Sequence, residues 1–185
     1  MEFTLYYRGY LKANSRPKEK QELRRYFHAQ LKRLWHQIPL KERHELLEKE
    51  PAKGAIGIIQ TINGFNFAPL VTERLNLIAE LKITLLRPEP PGSIITQAGD
   101  IDNRLKTLFD ALKVPTEPTA IPEGDHPKEG EDPFYCLLED DNLITNVQVE
   151  TDRLLEETKS SSEVVLLIHI TTKATRASWA NMGLG

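Results

Sequence analysis

Apolar residues recur along this chain at two spacings, and stretches of each alternate. Residues 2–11, EFTLYYRGYL, mix apolar and polar positions as a strand does and end at Lys12-Ala13-Asn14-Ser15. Leu23, Phe27, Leu31, Leu34, Trp35 and Ile38 then recur at helical spacing, which predicts a helix over about 17–37 with those residues as its buried face. Ser15 can cap that helix, Pro17 suits its first turn and Pro39 stops it. A second, more polar helix is expected over about 40–49. Residues 52–70, rich in Gly, Asn and apolar groups, read as an irregular connection with a short strand at 55–61. Residues 75–87, LNLIAELKITLLR, predict a long strand with Leu81, Ile83 and Leu85 on one face, and Pro88, Pro90 and Pro91 break it. The stretch from Gly92 to Gly99 leads into another helix, on which Ile101, Leu105, Leu108 and Leu112 share one face. Residues 114–133 hold five prolines and mostly acidic charge, a long loop. Residues 143–151 and 163–173 read as two more strands, joined by a polar segment at 152–162. The elements predict an α+β fold: a mixed sheet of about four strands packed with two to three helices, enlarged N-terminal helices and a long acidic, proline-rich loop. One domain over 1–175 is expected, with 176–185 as a poorly ordered tail.

Composition narrows the class. A chain of 185 residues that is 39% hydrophobic can build one ordinary core. With 28% charged residues and no apolar run near 18 residues, no membrane-spanning helix is expected. The start, MEFTLYYRGY, lacks the basic-then-apolar pattern of a signal segment. A single cysteine, Cys136, excludes an internal disulfide and a cysteine-only zinc site. These points favour a soluble intracellular protein. The net charge of −3 hides an asymmetry: residues 1–49 carry 12 Lys/Arg against 6 Asp/Glu, and residues 111–163 carry 4 against 14. Two interpretations stand. One is a surface for phosphates beside a surface for cations, as a metal nuclease needs. The other is a set of solvated helices and an acidic loop that happen to differ.

The chemistry concentrates in residues 99–112, GDIDNRLKTLFDAL. Asp100 and Asp102 stand two apart at a helix start, where the helix dipole favours carboxylates. Lys106 follows one turn later, so Asp102, Lys106 and Asp110 line a flank more than roughly 90° from the apolar face. Further on, Glu139-Asp140-Asp141 immediately precede the predicted strand at 143–151. Carboxylates from a helix start and a strand edge can together hold Mg²⁺, which prefers a few carboxylates, retained waters and phosphate oxygens. The bland alternative makes Asp100 or Asp102 a helix cap and Asp102–Lys106 an ion pair of about 0.3–0.5 kcal/mol. Other groups carry weaker signals. His169 lies in an apolar strand as a core or edge histidine, and His126 in the acidic loop is a solvated residue or a metal ligand. Tyr6, Tyr7 and Tyr10 near Arg8 suit base stacking or packing on a sheet face. Gly54-x-x-Gly57 lacks the Lys-Ser/Thr ending of a phosphate loop, and Cys136 has no neighbour that marks a nucleophile.

The string D-I-D-N-x-x-K-x-x-x-D-A-L, followed by D-D, resembles the RusA family of Holliday-junction resolvases, crossover junction endodeoxyribonucleases of bacteria and their phages. The resemblance covers residues 99–112 and 139–144. It implies a mixed α/β Mg²⁺-dependent endonuclease, with Mn²⁺ able to substitute, that acts as a homodimer on branched DNA. It places the protein in the cytoplasm, with activity at the nucleoid and none at a membrane. It makes Asp100, Asp102 and Asp141 the metal ligands, Asp140 a secondary candidate, and Lys106 the catalytic lysine. Lys12, Arg16, Lys18 and Arg104 are the expected phosphate-binding residues. The chain departs from the family pattern in four places. Ala98-Gly99 stand where a basic residue and a proline are common. The loop from Lys113 to Leu138 is longer than usual. Asn142-Leu143-Ile144 replace the usual Gln-Val, and the helices at 17–49 are larger. A rival expectation is a nucleic-acid-binding or assembly protein that keeps this fold without turnover. Another is a nuclease for other branched or flapped DNA.

Overall fold

Strand β1 (Glu2–Tyr10) hands over to helix α1 (Pro17–Trp35) in a computed structural model that describes residues 1–88, 100–158, 160 and 163–185. Pro17 occupies the first turn, as expected. The first turn is closed by Glu19, whose Oε2 accepts the Arg16 backbone N–H at 3.0 Å. Ser15 is not the cap: its N–H donates to Thr107 Oγ1 at 3.4 Å and its hydroxyl to the Lys12 carbonyl at 3.1 Å. Leu23, Phe27, Leu31 and Trp35 are buried as expected, whereas Ile38 lies past the helix end and is exposed. The expected helix over 40–49 is two 3₁₀ turns, Leu40–Glu42 and His44–Leu47. Arg43, at φ −118° and ψ 32°, separates them and prevents one continuous helix.

The stretch read as an irregular connection contains a hairpin. β2 (Gln60–Ile62) and β3 (Phe65–Val71) pair antiparallel through Asn63-Gly64, whose φ values of 48° and 81° suit the turn that matches strand twist. β4 (Leu77–Arg87) alternates buried and partly exposed positions along its length, as expected. Helix α2 (Asp100–Leu112) follows, then β5 (Phe134–Leu138), β6 (Ile144–Arg153) and β7 (Glu163–Ala174). β3 and β5 do not alternate because they pair parallel and are buried on both faces. The fold is α+β, with two helices and two mixed sheets among the described residues. The four-stranded sheet runs β1-β7-β4-β6 and the three-stranded sheet β2-β3-β5. The expectation of one sheet of about four strands therefore missed the second sheet. No helix of the described residues is long and apolar enough to cross a membrane.

Two parallel strand pairs follow one another along the chain: β3 with β5 in one sheet, then β4 with β6 in the other. Glu139 sits where both strands cross between sheets. Its N–H donates to the Val71 carbonyl at 2.8 Å. Its carboxylate accepts from Gln60 Nε2 at 2.6 Å, from the Glu73 N–H at 3.0 Å and from the Thr72 hydroxyl. The same Thr72 oxygen accepts the Arg74 N–H at 3.2 Å, so one buried threonine and one glutamate hold the corner.

The main core joins α1, α2 and the facing strands. A second cluster, of Phe65, Phe67, Val114, Ile121, Phe134 and Cys136, lies under the acidic loop. Its three phenylalanine rings sit with centroids 5.4–5.7 Å apart. Ile121 seats the long loop on this cluster. The segment 176–185, expected as a poorly ordered tail, packs on the domain. Leu184 is fully buried, and Asn181 Nδ2 donates to the Leu75 carbonyl at 2.8 Å and to that of Arg176 at 2.7 Å.

Replacing Glu139 by Ala should lower stability by about 2–3 kcal/mol, since bonds to a charged acceptor are worth roughly 1.5–3 kcal/mol. The loss should appear as a lower urea midpoint at unchanged slope, and Glu139→Gln should recover part of it.

Candidate functional site

Helix α2 presents the motif. Leu108 and Leu112 are buried, and Ile101 and Leu105 pack against the core. On an adjoining face Arg104 and Thr107 are buried against the loop that joins β1 to α1. Arg104 Nη1 donates to the Leu11 carbonyl, and Thr107 Oγ1 accepts the Ser15 N–H. Arg104, expected at a phosphate surface, is thus a positioning residue between two elements. With these faces fixed, Asp102 and Lys106 face solvent. Among the described residues neither side chain has a hydrogen-bond or ion-pair partner, so the i, i+4 pair of the bland alternative is not formed. Asp110, next on that flank, is taken by Lys20 at 2.6 Å.

Asp100 is the first residue of α2, and its side chain lies outside the described residues, as does the lead-in at 89–99 with Pro90, Pro91 and Ala98-Gly99. Asp140 and Asp141 stand at the crossing into β6. Asp140 Oδ1 accepts the Asn142 N–H at 3.0 Å and so caps the 3₁₀ turn Asp141–Leu143. Asp141 Oδ1 accepts from Lys113 Nζ at 2.9 Å, and Asp140 Oδ2 lies 3.9 Å from the same ammonium. Lys113 directly follows α2, about three turns beyond Asp102. It is held there because the Val114 N–H donates to the Leu138 carbonyl at 2.9 Å, tying the end of α2 to the end of β5.

Lys113 had no role in the sequence-based expectations; its one signal was its place as the first cation of the acidic stretch. The structure brings it together with Asp140 and Asp141, and it leaves Asp102 and Lys106 exposed and unpaired, one turn apart on α2. Among the described residues no group of three or more His, Cys, Asp or Glu side chains could hold a metal, and the Asp100 side chain is not one of those described. In kind the donors suit a hard cation, because carboxylate oxygens are what Mg²⁺ takes and the Asp102 carboxylate is exposed and unshared.

The charge asymmetry resolves largely within the molecule. Arg25 pairs with Asp125 at 2.9 Å and with Glu131 at 2.9 Å, and also donates to the His126 carbonyl at 3.2 Å. Lys32 donates to the Gly130 carbonyl at 2.7 Å, and Lys49 pairs with Asp132 at 3.3 Å. The basic helix and the acidic loop are therefore partners. Arg24, 2% exposed, donates through Nη2 to the Asp110 carbonyl at 2.8 Å near the negative end of α2. Burial pulls its pKa below the ordinary value. Of the expected phosphate ligands, Arg16 and Lys18 are exposed without an ion pair among the described residues, and Lys12 is exposed and pairs with Glu19 at 2.8 Å. Burial pushes the Cys136 thiol up to about 12, which leaves it protonated and inert.

Comparisons with protein-family models, with curated proteins and with solved structures return no match.

Arg25→Gln should destabilise the protein by about 2–4 kcal/mol, because two partly buried carboxylates lose their partner. Lys18→Ala should leave stability within about 0.5 kcal/mol. Urea titrations of both variants separate the structural cations of α1 from those left for a ligand.

His28 provides a pH readout. It is buried, its Nδ1 accepts the Tyr135 N–H at 2.9 Å, and its ring lies against Phe134 with centroids 4.5 Å apart. Burial, chiefly, lowers its pKa below the ordinary value of about 6.5. The unfolded chain then takes the proton more readily than the folded one. The stabilisation from His28 is complete above about pH 6.5 and is lost as pH falls through the lowered folded value. Urea midpoints measured from pH 7.5 down to 5.5 should fall, and His28→Gln should flatten that fall.

Proposed function

We propose that this chain is a divalent-metal-dependent endonuclease of the RusA type, acting on branched DNA with Holliday junctions among its substrates. The observation that carries the proposal is the exposed flank of α2. A carboxylate, Asp102, and an ammonium, Lys106, stand one turn apart, and neither is shared with another described residue. An arrangement serving only helix stability would pair them. Asp100, Asp102 and Asp141 would hold Mg²⁺, or Mn²⁺ in its place. Such an ion, when bound, polarises a scissile phosphate and lowers the pKa of an attacking water. Lys106 orients the phosphate and offsets the negative charge that develops on it during displacement. Arg16, Lys18 and Lys12 hold backbone phosphates without reading bases. A homodimer follows from the family resemblance and suits junction cleavage, because two symmetric strands need two sites.

One observation favours a second interpretation, a nucleic-acid-binding or assembly protein without turnover. The Lys113 ammonium occupies Asp141, one of the three carboxylates the chemistry requires.

The deciding experiment incubates the protein with labelled four-way junctions, flaps and duplexes, with and without Mg²⁺. Cleavage of the branched substrates that depends on the metal is expected. Asp102→Asn should abolish cleavage and keep DNA binding. Lys106→Ala should lower the single-turnover rate by about 10²-fold or more with metal affinity little changed. Tight binding to branched DNA with no cleavage at any Mg²⁺ concentration would instead establish the second interpretation.

A further inference from the structure

The four-stranded sheet has two edges, β1 and β6, and they are finished differently. The β1 edge is closed by a side chain from α1. Gln30 Oε1 accepts the Tyr6 N–H at 2.9 Å, and Gln30 Nε2 donates to the Tyr6 carbonyl at 2.7 Å. β6 has no such cover among the described residues. Seven of its ten residues are exposed. Its sequence, ITNVQVETDR, holds no proline and no lysine, residues that blunt an open edge. Its register with β4 shifts only at the start, opposite Ala79 and Glu80. From Asn146 onward it presents a regular row of backbone donors and acceptors on the side away from β4.

The two faces of β6 decide what fits there. In the parallel register with β4, Val147, Val149 and Thr151 lie beside Leu81, Ile83 and Leu85. Those three β4 residues are 0–2% exposed, whereas Val147 is 41% exposed, so the apolar face of the sheet runs out uncovered at this strand. Asn146, Gln148, Glu150 and Asp152 share the opposite face. The charges of the strand, Glu150, Asp152 and Arg153, all fall in its second half. Lys82 of β4 pairs with Glu150 at 3.4 Å, and Gln148 Nε2 donates to the same carboxylate at 2.9 Å. A second copy laid alongside in parallel, in register, would set Glu150 against Glu150. Laid antiparallel about a two-fold axis through Gln148, it sets Glu150 against Asn146 and Val147 against Val149. That arrangement keeps carboxylates apart and pairs β-branched residues.

We propose that β6 is the surface through which two copies of this chain associate, antiparallel about Gln148, joining their four-stranded sheets into one. The inference deepens the homodimer of the nuclease proposal, on which its functional meaning rests, by naming the surface. A two-fold axis perpendicular to the sheet keeps the buried faces of both copies on the same side. It sets the two Ile144 residues, each just after an Asp140-Asp141 corner, roughly 26 Å apart along the strands, at about 3.3 Å per residue. Each copy keeps its own candidate site, and one continuous sheet holds the two sites in fixed relation.

The test needs neither DNA nor metal. Light scattering across a concentration series should show monomer passing to dimer, with the micromolar dissociation constant expected of a contact confined to one strand. Val147→Lys puts an ammonium where the copies meet and should raise that constant about tenfold or more. Val147 is 41% exposed, so the variant should fold; a urea midpoint matching that of the parent, at concentrations where both are monomeric, checks this. Gln148→Cys should cross-link two copies under mild oxidation, because directly opposed strand residues lie within disulfide reach and the native Cys136 is buried. Thr4→Cys, on the closed β1 edge, should not. No dimer at about 100 μM, a dimer that Val147→Lys leaves intact, or a Gln148→Cys variant that links no more than Thr4→Cys would overturn the inference. Its failure is separable from that of the nuclease proposal. A dimer that forms as expected without cleaving branched DNA removes only the nuclease, and metal-dependent cleavage by a protein that stays monomeric removes only the interface.

Discussion

At Glu139 the two parallel strand pairs leave one sheet and enter the other, and the geometry of everything around the motif follows from that corner. Its carboxylate gathers Gln60 from β2, Thr72 from the end of β3 and the backbone of Glu73. An acidic side chain that accepts from a side-chain amide, a hydroxyl and a backbone N–H is committed to structure, since each of those donors would otherwise lose a charged acceptor. With the corner set, Asp140 and Asp141 emerge at a defined point at the head of β6, and the end of α2 is stitched to the end of β5 beside them. Three consecutive carboxylates thus divide their work. Glu139 holds the fold, Asp140 caps a turn, and Asp141 meets a lysine.

The same division runs through the basic helix. Lys20, Arg24, Arg25 and Lys32 turn toward α2 and the acidic loop, and Arg16, Lys18 and Arg33 face solvent. Opposite charges far apart in the sequence therefore act first as partners of one another. The partly buried pairs of Arg25 are better shielded from salt than exposed pairs, so they can brace the loop over its aromatic cluster. The surface left for an anionic ligand is much smaller than the count of cations in residues 1–49 suggests. Arg16 and Lys18 lie at the start of α1 and Arg33 in its last turn.

A helix anchored on its apolar face, and pinned through Arg104 and Thr107 to the β1–α1 loop, has little freedom to rotate. Its remaining flank, with Asp102 and Lys106, is left facing solvent.

Much of this molecule could be read from its residues alone. The alternation in β4, the helical periods of α1 and α2 and the exposed flank of Asp102 and Lys106 follow from local patterns, because side-chain direction in a strand or helix depends only on position within it. The hairpin at Asn63-Gly64 was missed, its residues having been read as an irregular connection, and β3 and β5 escaped because strands buried on both faces carry no alternation. The buried state of Arg24 and His28 and the role of Arg104 were equally hidden. Polar side chains enter a core only when partners from distant segments meet them, here the Asp110 and Leu11 carbonyls and the Tyr135 N–H. Lys113 joined Asp141 for the same reason. Sequence determined which groups carry charge and which face of each element they occupy. Tertiary structure decided which of those charges neutralise one another and which face outward, because that choice depends on contacts between residues far apart along the chain.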